Sequence, residues 1–128
     1  MRQENGFTLI ELLLVILIIA ILAGIAIPVF LAQRERGWNS QVESALRNAA
    51  TAQESFSTDN NGNYATTITE LTDEGLRFAA AEVDFVDSDI TTVGSVSYCM
   101  EARSARDATV AWHHDSSVGA PKEGGCTP

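Results

Sequence analysis

Positive charge is scarce in this chain. Eight Lys and Arg stand against 17 Asp and Glu in 128 residues, a formal net charge of −9. Gripping nucleic-acid phosphate takes dense Lys and Arg, so no direct nucleic-acid contact is expected. Cysteine is nearly absent as well. Cys99 and Cys126 are the only two, and neither stands in a CxxC or beside a histidine at metal-ligand spacing. Zinc is therefore not expected, and the even pair suits one disulfide in an oxidising compartment. There is no glycine-rich phosphate loop. Asp84, Asp87 and Asp89 crowd the stretch "DFVDSD", but the glycine and closing glutamate of an EF-hand are missing, so a solvated acidic loop is expected in place of a calcium site. "HHDSS" holds Ser, His and Asp together, yet neighbours on a strand face opposite ways, which is wrong for a triad. His113 and His114 read as strand-end or surface residues. The expectation is a protein with no metal, no cofactor and no catalytic group.

Charge is also missing along one long stretch. From Phe7 to Ala32, 26 residues carry Glu11 as their one charge. As a helix they span ~39 Å, enough to cross a bilayer core of ~30 Å. A secretory signal peptide has a shorter apolar core with a small-residue cleavage site after it. Here the small residue, Gly6, comes before the run, so cutting there leaves the apolar segment on the mature chain, as a membrane anchor or an assembly helix. Arg2 with Glu4 on one side, and Arg34 and Arg36 with Glu35 on the other, give no firm orientation by the positive-inside rule.

The rest of the chain is polar. Gln33 to Thr58 holds three charges of each sign, and from Asp59 onward twelve acidic residues face four basic ones. Trp38, Val42, Ala45, Leu46, Ala49, Ala52 and Phe56 recur at steps of three and four, one apolar stripe on a polar helix. Periodicity resumes on both sides of Pro28 and Gly37, so the proline is expected to kink the helix without ending it. From Phe7 to Ser57 such a helix would measure ~77 Å, and "STDNNGNY" supplies the turn chemistry to stop it. Thr67 to Glu70 fits a capping box and Gly75 a helix stop, predicting a short helix near 67–74. Strand-like alternation follows at Val83 and Phe85, at Val96, Tyr98 and Met100, and at Val110 and Trp112, with turns at Gly94 and 104–107. The fold class is α+β: a long N-terminal helix, transmembrane in its first half and amphipathic in its second, packed on a small antiparallel sheet. A Cys99–Cys126 bond would close a 28-residue loop, worth ~3.6 kcal/mol in the chain-entropy model, and tie the tail "APKEGGCTP" to a strand.

Glu11 is the residue that needs an explanation, because a carboxylate within a transmembrane helix costs a few kcal/mol. It could reach water at the membrane edge, sit protonated and passive, or meet a cation inside the apolar layer. Cleavage after Gly6 would create an α-amino group on Phe7, mostly protonated at neutral pH. That amine is an i,i+4 neighbour of Glu11 in one helix. When many helices pack together, Glu11 of one copy could meet the Phe7 amine of the next. A buried unpaired charge is strongly unfavourable and a paired one roughly neutral, so such a pair would penalise wrong staggers.

The stretch "GFTLIELLLVILIIAILAGIAIPVF" resembles the prepilin signature of type IV pilins and of their pseudopilin relatives in type II secretion: a short leader ending in Gly6, then Phe7, Thr8, Glu11 and Pro28. The resemblance is close from Gly6 to about Phe30, looser through the amphipathic half, and rests distally on the cysteine frame "SYCMEA … KEGGCTP". It implies a leader over 1–6, a transmembrane and assembly helix over 7–32, its amphipathic continuation over 33–58 and a globular head over 59–128. A membrane peptidase would cut after Gly6 and methylate the Phe7 amine, and assembly machinery would move the helix from the cytoplasmic membrane into the core of an extracellular helical filament. Glu11 would balance a neighbour's N-terminus there. Helix between Gly24 and Pro28 would melt on assembly. The small residue that the family places midway before the proline is Ala20 here, and Ala20 with Gly24 also makes a small-xxx-small step for close helix packing. The resemblance thus implies a pilus subunit without catalytic activity. The alternatives are a minor pilin or pseudopilin of a secretion or DNA-uptake system and, from another class, an uncleaved signal-anchored binding domain or small enzyme.

Overall fold

The computed structural model describes residues 5–86 and 90–126. Two α-helices precede five strands: α1 Leu9–Asp59, α2 Ile68–Asp73, β1 Val83–Phe85, β2 Thr91–Val93, β3 Ser97–Ser104, β4 Asp107–Asp115 and β5 Pro121–Glu123. The class is α+β, one long helix and a small antiparallel sheet, as the periodicities predict. The chain divides into two compact units, one ending at Arg34 and the other, the head, beginning at Glu35.

The first unit is the early part of α1. Its apolar side chains are left in the open by their own chain: Leu9 is 76 % exposed, Ile19 58 % and Phe30 64 %. Leu, Ile and Val fill this stretch with no polar face, the composition of a helix whose solvent is hydrocarbon or other helices. Length and apolar composition suffice for a membrane span. The helix runs through Pro28 and Gly37 without a break.

In the head the same helix turns amphipathic. Val42, Ala45, Leu46 and Ala49 are buried, and Ala52 and Phe56 pack at the edge of the same core, as the three-four spacing requires. Trp38, at the start of the stripe, is half-buried. The position that the apolar count passed over is Gln53, fully buried. α1 ends where Asn61 and Gly62 take positive φ, 57° and 84°, a left-handed step that terminates helices. α2 opens on the Thr67 and Glu70 capping box: each side chain satisfies the other's backbone N–H. It stops one turn on, before Gly75 at φ 107°.

The sheet is built around β3. Tyr98, Met100, Ala102 and Ser104 alternate inward and are buried, while Glu101 and Arg103 face out. β4 and β5 extend the sheet on one side of β3. On the other side β1 and β2 share a single edge: β1 pairs with residues 102–104 and β2 with 97–99. Leu71 and Leu76 close the core from the α2 side. β2 and β5 were not anticipated by the alternation, being three residues each and lacking an apolar face.

Cys99 and Cys126 form the expected disulfide. The tail crosses the outer face of the sheet to reach it. His113 Nδ1 and Gly124 O lie 2.9 Å apart, Gly124 N–H donates to Ala111 O, and Cys126 N–H donates to the Glu101 carboxylate at 3.3 Å. Both histidines lie near the end of β4, but His114 is not a surface residue. It is 5 % exposed, with its ring stacked on Tyr98 at 6.1 Å, because alternation from Trp112 places it on the inward face. Tyr98 belongs to the core and Trp112 packs half-buried against it. Asp84 is an exposed residue of β1; Asp87 and Asp89 lie outside the described residues.

Candidate functional site

The residues singled out by the sequence fall into three places. Gly6, Phe7, Thr8 and Glu11 gather at the start of α1; Ala20, Gly24 and Pro28 recur every fourth residue along it; Cys99 and Cys126 belong to the head. At the start of α1, geometry and chemistry meet. Thr8 is the residue before the first helical one. Its backbone N–H and its hydroxyl both donate to Glu11 Oε2 at 2.8 Å, and Glu11 N–H donates to Thr8 Oγ1 at 3.3 Å. This is a reciprocal capping box, the same device that opens α2.

Glu11 is therefore occupied within its own chain. The carboxylate sits at the end of α1 where unpaired N–H groups concentrate partial positive charge, which favours an acid there. It is also exposed, held by two short bonds and not enclosed. The arrangement can keep a carboxylate solvated locally by Thr8 while leaving it reachable from outside the helix. Phe7, 90 % exposed, lies just before the cap. The sequence signal for Thr8 as Glu11's partner was present all along: Thr-x-x-Glu reads identically at 8–11 and 67–70.

Further along, Ala20, Gly24 and Pro28 lie at i,i+4 steps and so share one face of α1. A methyl group built on Gly24 would meet nothing within 4 Å, and the same holds at Gly6. The packing of the chain on itself gives no reason for glycine at either position.

Ionisable groups in the head serve its structure. Thr66 N–H and then Thr67 hold Glu70 below the usual carboxylate range. A paired Arg106, bonded through two nitrogens at 2.6 and 2.7 Å, does the same for Glu82 and pins the β3–β4 turn to the segment before β1. Burial pushes the Tyr98 hydroxyl well up, with the Glu54 charge adding to it, and pushes His114 down. Among the described residues no three His, Cys, Asp or Glu side chains gather as a metal cluster would require.

Known proteins share this design. A family model described as "Prokaryotic N-terminal methylation motif" matches residues 1–27. The chain is 44 % identical over 102 residues to the type IV wide pilus major component PilA4 of Thermus thermophilus, covering 80 % of this chain and 75 % of that protein. It is 48 % identical over 54 residues to the type IV major pilin protein PilA of Myxococcus xanthus, covering 42 % of this chain and 24 % of that protein. With such identity carried across three-quarters of a major pilus component, the chain belongs to the type IV pilin family.

Proposed function

We propose that this chain is the repeating structural subunit of a type IV pilus, held in the membrane as a precursor and then polymerised outside it. The observation that carries this reading is the first unit: a helix whose large apolar side chains are exposed for want of cover from their own chain, opened by an exposed acid five residues after Gly6. Such a surface is tolerable in a bilayer or among copies of itself. The leader is residues 1–6, removed by a prepilin peptidase that also methylates Phe7. Residues 7–32 form the anchor and later the filament core, 33–58 the floor of the head, and 59–128 its acidic outer surface.

Cleavage rewrites the chemistry around Glu11. Before it, Phe7 offers an amide and Thr8 alone satisfies the acid. After it, a methylated ammonium stands at Phe7, and a second copy can present its own to the exposed carboxylate. The exchange costs little, because one charge-assisted pair replaces two hydrogen bonds. A copy placed at the wrong stagger leaves both charges unpaired in an apolar layer, which is costly.

Mass spectrometry of the mature chain tests the processing. The expected N-terminus is Phe7 with one added methyl; an intact Met1 would instead support a signal-anchored domain. Imaging of surface filaments then separates a major pilin, forming their bulk, from a minor pilin or pseudopilin. Replacing Glu11 by Val should leave the precursor inserted and its head folded but reduce filament formation to background.

A further inference from the structure

The first half of α1 carries two boundaries of its own. Between Glu11 and Gln33 lie 21 residues without one polar side chain. As helix they measure ~31.5 Å, close to the ~30 Å of a hydrocarbon core. The run counted from Phe7 is longer, ~39 Å as a helix, and would fit only at a tilt of about 40°, the far end of what membrane helices show. That placement would also sink the Glu11 carboxylate into hydrocarbon, which is costly.

The backbone draws the same line. Residues 5–8 lie outside the helix, which begins at Leu9. Hydrocarbon offers no hydrogen bonds, so backbone without internal partners stays out of it, and the N–H groups of a helix's first turn are of that kind. Thr8 answers two of them: Glu11 N–H donates to Thr8 Oγ1 and Leu12 N–H to Thr8 O, both at 3.3 Å. Thr8 in turn donates twice to the Glu11 carboxylate. Extended backbone, first turn and carboxylate make one polar cap that ends at Glu11. Gln33 and Arg34 bound the apolar segment at its other end.

We propose that the bilayer covers α1 over residues 12–32 alone, with the Glu11 carboxylate in one headgroup layer and Arg34 in the other. The proposal rests on the membrane-held precursor above and fixes its register. The acid then stays hydrated for as long as the subunit waits in the membrane. It enters an apolar layer only when the helix is drawn among other helices. Its desolvation falls on assembly and not on insertion, so a neighbour's ammonium is required at extraction and not before. The Gly6–Phe7 junction emerges in the same headgroup layer, within reach of a peptidase.

The test reads depth in vesicles of phosphatidylethanolamine and phosphatidylglycerol that hold the full-length precursor. Cys99 and Cys126 are bonded to each other, so a thiol-reactive fluorophore labels only a cysteine placed on α1. Bromine atoms at the acyl-chain ends quench each label according to its nearness to the bilayer centre. Quenching should peak at Leu22→Cys, match at Leu14→Cys and Phe30→Cys, eight residues to either side, and fall at least twofold further at Ile10→Cys. A bilayer that begins at Phe7 makes Ile10 and Phe30 the matched pair instead. A Phe30→Cys signal closer to that of Ile10→Cys than to that of Leu14→Cys therefore overturns the proposal. Where a label blocks insertion, Leu9→Cys stands in for Ile10→Cys and Leu13→Cys for Leu14→Cys. Absence of quenching at every position overturns the membrane reading itself, an outcome distinct from a shifted centre.

Discussion

Gln53 shows how much one side chain can hold. It lies fully buried on the α1 stripe, donating from Nε2 to Ala65 O and accepting from Ala65 N–H, both at 2.9 Å. A buried donor or acceptor left unmade costs about 1–3 kcal/mol, so Gln53→Leu should destabilise the head by roughly 2–4 kcal/mol in a denaturant titration. His114 contributes through its charge state. Burial favours its neutral form and holds its pKa below the ordinary value. The unfolded chain then binds a proton that the folded chain refuses, so stability falls as pH drops below about 6.5 and keeps falling until the depressed value is passed. Melting curves at pH 7.5 and 5 should show this loss in the wild type and a smaller one in His114→Phe. Neither role was legible from residue type. Position 53 fits the stripe's spacing, and 114 the alternation from Trp112, but a polar identity at each concealed a buried place. The Thr8 partner of Glu11 was hidden in another way: an acid in an apolar run directs attention to other molecules, whereas its nearest partner is three residues back.

Single elements depend on their ends. α2 is six residues long, too short to persist on propensity, and is set by its capping box and by Leu71 beneath it. Thr67→Ala should cost about 1 kcal/mol and raise amide exchange across 68–73. The tail behaves differently, since it adds no residue to the core beyond the sulfur anchored at Cys99. Cys99→Ser with Cys126→Ser should cost about 2–4 kcal/mol, with exchange rising over β5 and residues 124–126 and the core strands still protected. Gly125 marks how closely the tail is laid down, since an added methyl would stand 3.0 Å from Glu101 Oε2. Elements with a long period were readable: α1 ends at Asp59, two residues past the expected stop, and β3 follows its alternation. β2 and β5 were not, because three-residue strands such as Pro121–Glu123 owe their form to the strand beside them and not to a pattern of their own.

At the scale of the whole chain, stability and assembly reside in different residues. Every residue of the hydrophobic core lies at Val42 or beyond, and no residue of the membrane-length window of α1 is buried. The two halves of α1 were legible as such from the sequence, since a change from all-round apolar to one apolar stripe is a change of surroundings. What that change did not reveal was the division after Arg34, two residues past the end of the uninterrupted apolar run at Ala32. A chain beginning at Glu35 should then keep all that folds the head: the α1 stripe, Gln53, the α2 cap and the disulfide. We expect it to be soluble without detergent, to unfold cooperatively, and to melt within a few degrees of the full chain in detergent. It should form no filaments at any concentration, since the surface that gathers copies has been removed. A truncated head that aggregates or melts gradually would mean that residues before Glu35 support the core, and the separation of roles along α1 would have to be abandoned.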